Sequence, residues 1–265
     1  MVTALHRAFV RDVASAGLPT GPTGPPTVVT EQDLADLPPV VRRYLAFMGV
    51  VGRPIDWSFT VGMAGRFRRT PADAWMPMQA WQYNTSLSVA RVFTMRLTFA
   101  KILPMVGHDT YVHGHGRMLG RLLGAVTVVD GSGPEYDIGE LVTYLNDAIM
   151  LAPGMLLGPA TRWAQVTDDA FDVTLEDSGI EVTGRVFVDE AGAPVDFSTT
   201  DRFAALPEGL VRAEWRTPVP GWTWVGGRPF PQPSRVTWML PDGPFTYVDG
   251  GFVAGSITYN QPPPA

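Results

Sequence analysis

Glu140, Thr143, Tyr144 and Asp147 stand at i, i+3, i+4 and i+7 in the segment YDIGELVTYLNDAIMLAPG, a spacing that brings all four to one face of an α-helix. Two carboxyls flanking a phenol offer an acid, a base and a hydrogen-bond donor, provided the face borders a cavity in which desolvation raises a carboxyl pKa. On a solvated helix the same stripe does nothing. A second group lies in DTYVHGHGRM, residues 109–118. Read as one β-strand, it sets Asp109, Tyr111, His113, His115 and Arg117 on one face and Thr110, Val112, Gly114, Gly116 and Met118 on the other. His113 and His115 with Asp109 resemble the H-x-H pairs of metal sites, but no third ligand follows at matched spacing. The expectation is no metal, with cavity lining and solvent face both open for this segment.

Large side chains with adaptable shapes or polar tips are abundant, with 8 Trp, 7 Tyr and 11 Met, and they cluster. Trp75, Met76, Met78, Trp81 and Tyr83 form one group; Trp215, Trp222, Trp224, Trp238 and Tyr247 form another on the C-terminal strands. Such residues fill cores, and on a curved sheet they also line pockets for apolar ligands.

Other chemistries find little support. With no cysteine, thiolate metal sites, iron–sulfur clusters, disulfides and a cysteine nucleophile are excluded. A net charge of −6 argues against nucleic acid as a partner. Lys101 is the sole lysine, so Schiff-base chemistry would rest on it alone. Gly114, Gly116 and Gly120 give G-x-G-x-x-x-G followed by strand, where a dinucleotide loop needs G-x-G-x-x-G and a helix. Ser132 lacks the G-x-S-x-G elbow. The cofactor expectation is none. His6, Arg7, Arg11 and Asp12 interrupt the N-terminal apolar residues, so neither a signal peptide nor a membrane span is expected, and the location expected is cytoplasmic. The oligomeric state is left open.

The elements that position these residues follow from periodicity. Leu5, Ala8, Phe9 and Val13 predict a short helix, and GLPTGPTGPPT after it reads as a flexible tether, making residues 1–29 separable from one domain over 30–265. Val41, Tyr44, Leu45 and Met48 predict a helix that Pro38-Pro39 starts and Gly49 ends. From Asp56 the period changes to two. DWSFTVGMAGRF, LSVARVFTMRLTF, GRMLGRLLGAVTVV, AFDVTLED, IEVTGRVFVDE and later segments read as strands, with hairpin signals at Gly226-Gly227 and Asp242-Gly243. A helix over 137–152 interrupts them, with Asp137 and Glu140 as a capping box. The predicted fold class is mainly β (α+β): a strongly curved antiparallel sheet, half-barrel or barrel, with one long central helix and N-terminal helices.

In their order, DLPPVVRRYLAFMGVVGRP, WMPMQAWQ, GHDTYVHGHGRM, GELVTYLNDAIMLAP, the RW at 162 and VTWMLPDGPFTY resemble an uncharacterised bacterial family of unknown function, common in actinobacteria, over roughly residues 33–259. The resemblance implies a curved-sheet half-barrel similar to lipoprotein-carrier folds. Its pattern falls on Trp75, Gln82, Tyr111, Gly114, Gly116, Glu140, Tyr144, Pro153, Trp163, Arg202, Trp238 and Tyr247. Asp147, Thr143 and Met150 replace the Glu, Arg and Trp usual there, which implies a more apolar pocket, and His113 and His115 lie outside the pattern.

These readings converge on a cofactor-independent cyclase or isomerase that folds a hydrophobic small molecule, such as a polyketide, into a reactive shape, a [4+2] cyclisation being one such reaction. Glu140, Tyr144 and Asp147 are the expected catalytic residues. Trp75, Trp81, Gln82, Tyr111, His113, Met150, Trp215, Trp238 and Tyr247 are the expected substrate-binding residues. The alternative is a cytoplasmic carrier that binds a lipid-like ligand unchanged.

Overall fold

Alternating side chains build most of the molecule. The computed structural model describes residues 3–99, 102–206 and 209–265; Lys101 lies outside the described residues. Helices α1 (Ala4–Ser15) and α2 (Pro39–Met48) precede six strands: β1 (Ser58–Phe67), β2 (Met76–Thr85), β3 (Ala90–Phe99), β4 (Leu103–Val112), β5 (His115–Leu122) and β6 (Val126–Ser132). The long helix α3 (Pro134–Leu151) follows. Then come β7 (Thr161–Thr167), β8 (Ala170–Asp177), β9 (Ile180–Val188), β10 (Pro194–Thr199), β11 (Phe203–Leu206) and β12 (Gly209–Arg212). The C-terminal strands are β13 (Glu214–Arg216), β14 (Trp222–Val225), β15 (Arg228–Pro231), β16 (Ser234–Leu240), β17 (Gly243–Phe252) and β18 (Thr258–Tyr259).

One antiparallel 14-stranded sheet runs β6-β5-β4-β3-β2-β1-β17-β16-β13-β10-β9-β8-β7, with β18 beside β1; β11–β12 and β14–β15 are separate hairpins. The expected curved antiparallel sheet with one long helix is therefore present. Register shifts at Val236/Thr237, Gly120/Arg121, Gln165/Thr167 and Pro194/Asp196 add twist and curl. Strands β6 and β7 are the two ends of the sheet, so α3 carries the chain from one edge to the other. It packs against β3, β4, β5 and β6 from one half and β9 from the other. No helix among the described residues is long and apolar enough to cross a membrane.

Three sequence expectations change. First, DTYVHGHGRM is a hairpin, not one strand: His113 and Gly114 hold φ of 54° and 79°, and Val112 pairs with His115. Two positive-φ residues close a tight turn whose twist suits the flanking strands. Tyr111 therefore faces the same side as Gly116, and Asp109 as Met118. GRMLGRLLGAVTVV likewise breaks at Leu123-Gly124, both with positive φ, into β5 and β6.

Second, α3 begins at Pro134, three residues before the expected start, with Pro in the first turn where its missing N–H costs nothing. Asp137 serves as no cap; its Oδ1 accepts from the Gly116 N–H at 2.6 Å. A Cβ at Gly116 would meet the Tyr136 carbonyl oxygen at 2.1 Å. The glycine lets the helix backbone lie directly on β5.

Third, α1 is no free appendage. Phe9 and Val13 are fully buried with Tyr83, Ala90 and Val92 on the outer face of β2 and β3, and Leu18 joins them. Asp12 Oδ2 accepts from Thr94 Oγ1 at 2.5 Å and lies 2.7 Å from His108 Nδ1. The stripe Leu5, Phe9 and Val13 is legible in the sequence, but the composition of the segment after it does not reveal that the stripe docks. Deleting residues 1–18 is expected to lower unfolding stability by on the order of 3 kcal/mol, since it uncovers several large apolar side chains. Urea denaturation of the truncated and full chains checks this.

Candidate functional site

Between α3 and the concave sheet face lie two adjoining lobes of about 210 Å³ each. The strand registers build the floor. Val61, Gln82, Phe93, Asp109 and Met118 are successive cross-strand partners over β1 to β5 and form one row of the sheet. From above, Tyr136, Gly139, Glu140, Thr143, Asn146, Asp147 and Met150 face the lobes, one continuous helical stripe. The first lobe flanks the opening half of α3 and the β11–β12 hairpin; the second flanks its later half. Phe67, Met95, Asp109, Met118, Glu140, Arg202 and Tyr247 line both, and form a waist between them.

Buried ion pairs hold the helix over the floor. Arg91 Nη1 donates to Glu140 Oε2 at 2.9 Å and Arg91 Nε to Asp147 Oδ2 at 3.0 Å. Gln82 Nε2 donates to the same Asp147 oxygen at 2.7 Å. Glu140 is only 3% and Asp147 6% exposed, so the stripe is not a solvated helix face. Burial pushes the Asp147 carboxyl above its ordinary range, Arg91 and Gln82 counter it, and the Glu140 charge adds to it.

At the waist two polar groups are left over. Asp109 Oδ1 and Arg202 Nη1 are buried without a hydrogen-bond partner among the described residues, and no other such atom lines the lobes. Burial, reinforced by the Glu140 charge, raises the Asp109 pKa from 3.8 to about 7 against the pull of Arg91, Arg202 and His108. The Arg202 guanidinium carbon sits 4.4 Å from the Trp215 ring centre and 5.8 Å from that of Trp238. These contacts hold its charge in place by cation–π attraction. Trp215 Nε1 donates to the Tyr247 hydroxyl at 3.0 Å, and Tyr247 stacks on Trp238.

Of the residues expected at the site, Glu140, Asp147, Gln82, Met150, Trp215, Trp238 and Tyr247 line the lobes. Five do not. Tyr144 is on the flank of α3 turned from the lobes, its hydroxyl buried unpaired; burial and then the Asp177 charge push its pKa up, which keeps the phenol neutral. The Tyr111 hydroxyl donates to Asp177 Oδ2 at 2.7 Å. Trp81 is on the outer face against His6 and Phe9. Trp75 is half-buried beneath Arg66 and Arg68. His113 is exposed in its turn, and the His115 side chain is 83% exposed, so the hairpin separates both from the cavity.

Sequence reasoning missed Asp109, Arg91 and Arg202 as site residues. A signal existed for Arg91: period two places it with Phe93, Met95 and Leu97, an arginine on an otherwise apolar strand face. Asp109 shares its strand reading with the histidines beyond the turn, and Arg202, which follows a break between two strands, stands out only through the family pattern.

Residues 27–250 match a family described as Family of unknown function (DUF6544). The chain belongs to that family. No protein of curated function matches this DUF6544 member. Among solved structures it is similar to a LolA-superfamily protein of Nitrosomonas europaea, 10% identical, over 87% of this chain and 93% of that one with a TM-score of 0.44. It is also similar to a DUF1329-family protein of Desulfovibrio piger, 11% identical, over 83% and 90% with a TM-score of 0.45.

Two measurements follow from the buried charges. Arg91→Met leaves two buried carboxylates unpaired and is expected to cost about 3–5 kcal/mol, whereas adding Glu140→Gln and Asp147→Asn to it restores much of that loss. Urea midpoints of the single and triple variants check the order. The second concerns pH. Between about pH 4 and 7 the folded protein keeps the Asp109 proton that the unfolded chain has released, so this group costs the native state stability as pH rises through that window. Asp109→Asn, which cannot ionise, is expected to gain stability relative to the parent from pH 4 upward and to level off above about pH 7. Unfolding curves at stepped pH read the difference.

Proposed function

We propose that this protein is a cofactor-independent isomerase or cyclase for a hydrophobic small molecule bearing a carbonyl group. The observation that carries the reading is the buried Asp109 carboxyl with its Oδ1 unpaired, in a largely apolar cavity whose shared lining also carries the unpaired Arg202 Nη1. An acid–base group titrating at about 7 transfers protons well at neutral pH, and burial strengthens every polar contact made beside it. In this reading Arg202 donates to the substrate carbonyl oxygen. The Asp109 carboxylate takes a proton from the adjacent carbon, the C–H electron pair moves into the carbonyl to form an enolate, and the resulting carboxylic acid returns the proton at another carbon. No proton is gained or lost overall. Glu140 and Asp147, held by Arg91, act as positioning residues, in place of the expected direct catalytic role. For a cyclisation, the enolate carbon is the group that attacks a second position of the folded chain.

The mostly apolar lining and the pairing of Glu140 and Asp147 with Arg91 also support a second reading, a binding protein that leaves its ligand unchanged. A medium-chain β,γ-unsaturated ketone separates the two. Conversion to its conjugated isomer, followed by ultraviolet absorbance, is expected with the parent protein and is expected to fall by about 10²–10⁴ in Asp109→Asn, with binding of the ketone kept. Binding without any conversion by the parent protein would leave the carrier reading.

A further inference from the structure

The cavity's buried polar atoms without a partner lie in the lining that the two lobes share. Asp109 and Arg202 line both lobes, so the lobes' buried atoms left without a partner among the described residues sit at the waist between them. The other buried polar side chains of the second lobe bond to one another: Gln82, Arg91, Glu140 and Asp147 in one network, and Asn146 to Thr217 at 2.8 Å. Arg69 and Glu135 in the first lobe, and Gln232 and Arg235 in the second, are exposed. A ligand with a terminal head group would place that group at one end and lay plain hydrocarbon across the waist, leaving the buried Arg202 donor unpaired.

We infer that the ligand is an elongated apolar molecule whose carbonyl lies in the middle of its length, with one hydrocarbon arm in each lobe. This rests on the proposed function for the nature of the polar group and adds its position within the molecule. The carbonyl oxygen takes the free Arg202 N–H, and the carbon beside it lies at Asp109. A methyl ketone of equal size that put its carbonyl on Arg202 would crowd its whole chain into one lobe and leave the other empty. Both lobes are of the same volume, which suits arms of similar length.

The test compares three eleven-carbon compounds, dipentyl ketone, methyl nonyl ketone and undecane, as competitors of the neutral fluorescent probe N-phenylnaphthylamine. With the parent protein, dipentyl ketone is expected to displace the probe at concentrations about tenfold or more below those needed for the other two, the scale of one hydrogen bond to a charged donor. In Arg202→Met, which keeps the apolar stem and removes the donors, the three are expected to compete within about twofold of one another. Retained binding of the probe shows that the variant still holds its cavity, and Arg202→Lys, expected to keep part of the preference, is the companion if it does not. Equal or better competition by methyl nonyl ketone, a preference that survives Arg202→Met, or no displacement by any of the three overturns the inference. Asp109→Asn keeps the donor, so it is expected to retain the preference while losing enone isomerisation. A standing preference without isomerisation by the parent sinks the catalytic reading alone; isomerisation without the preference sinks the mid-chain inference alone.

Discussion

Arg91 reaches from β3 across the concave face and holds two carboxylates of one helix, Glu140 and Asp147, two turns apart. Apolar contact alone would let α3 rotate or slide in its trough, because burial of hydrocarbon has no direction. A guanidinium fork that must meet two carboxylates and the Gln82 amide is satisfied at one height and one rotation of the helix. The close approach at Gly116 and the Asp137 bond to its N–H fix the other end. With α3 so placed, the strip of side chains from Tyr136 to Met150 faces the cavity.

The same clamp decides which polar groups remain available. Glu140, Asp147 and Gln82 all bond to Arg91, and Gln82 bonds to Asp147 as well. Asp109 stands next to this cluster on the floor, feels the Glu140 charge and finds no donor of its own among the described residues. Neighbouring carboxyls thus differ in what they bond: Glu140 and Asp147 on the helix are tied to Arg91, and Asp109 on the sheet keeps a buried oxygen without a partner among the described residues. Arg202, lying over the neighbouring Trp215 and Trp238 rings, lines the same waist.

The cavity exists because the sheet does not close on itself. Its edge strands β6 and β7 are joined by α3, so the helix occupies the trough that a closed barrel would fill with side chains from facing strands. Large flexible methionines and aromatic rings fill the remaining space incompletely and leave two lobes. The N-terminal helix on the outer face ties β2, β3 and β4 together through Phe9, Val13 and Asp12, beneath the strands that carry Gln82, Arg91 and Asp109.

Local pattern by itself determined most of the strands, the helix around 137–152, the termination of α2 at Gly49 and the antiparallel class, because period, turn residues and caps act over a few neighbours. It also placed Glu140 and Asp147 on one stripe with Met150 nearby. Tertiary structure decided the rest. Whether His113 continued a strand or turned it depended on pairing between Val112 and His115, and that one turn moved His115 and Arg117 off the face of Asp109 and Tyr111. Tyr144 sits one position beyond the cavity edge of α3, a rotation set by Arg91, and Trp81 faces α1, a partner that composition had marked as detached. Asp109, Arg91 and Arg202 come from β4, β3 and the link between β10 and β11. Their meeting is a product of strand order and helix placement, which a single sequence encodes only through the long-range packing that its short-range periodicities do not express.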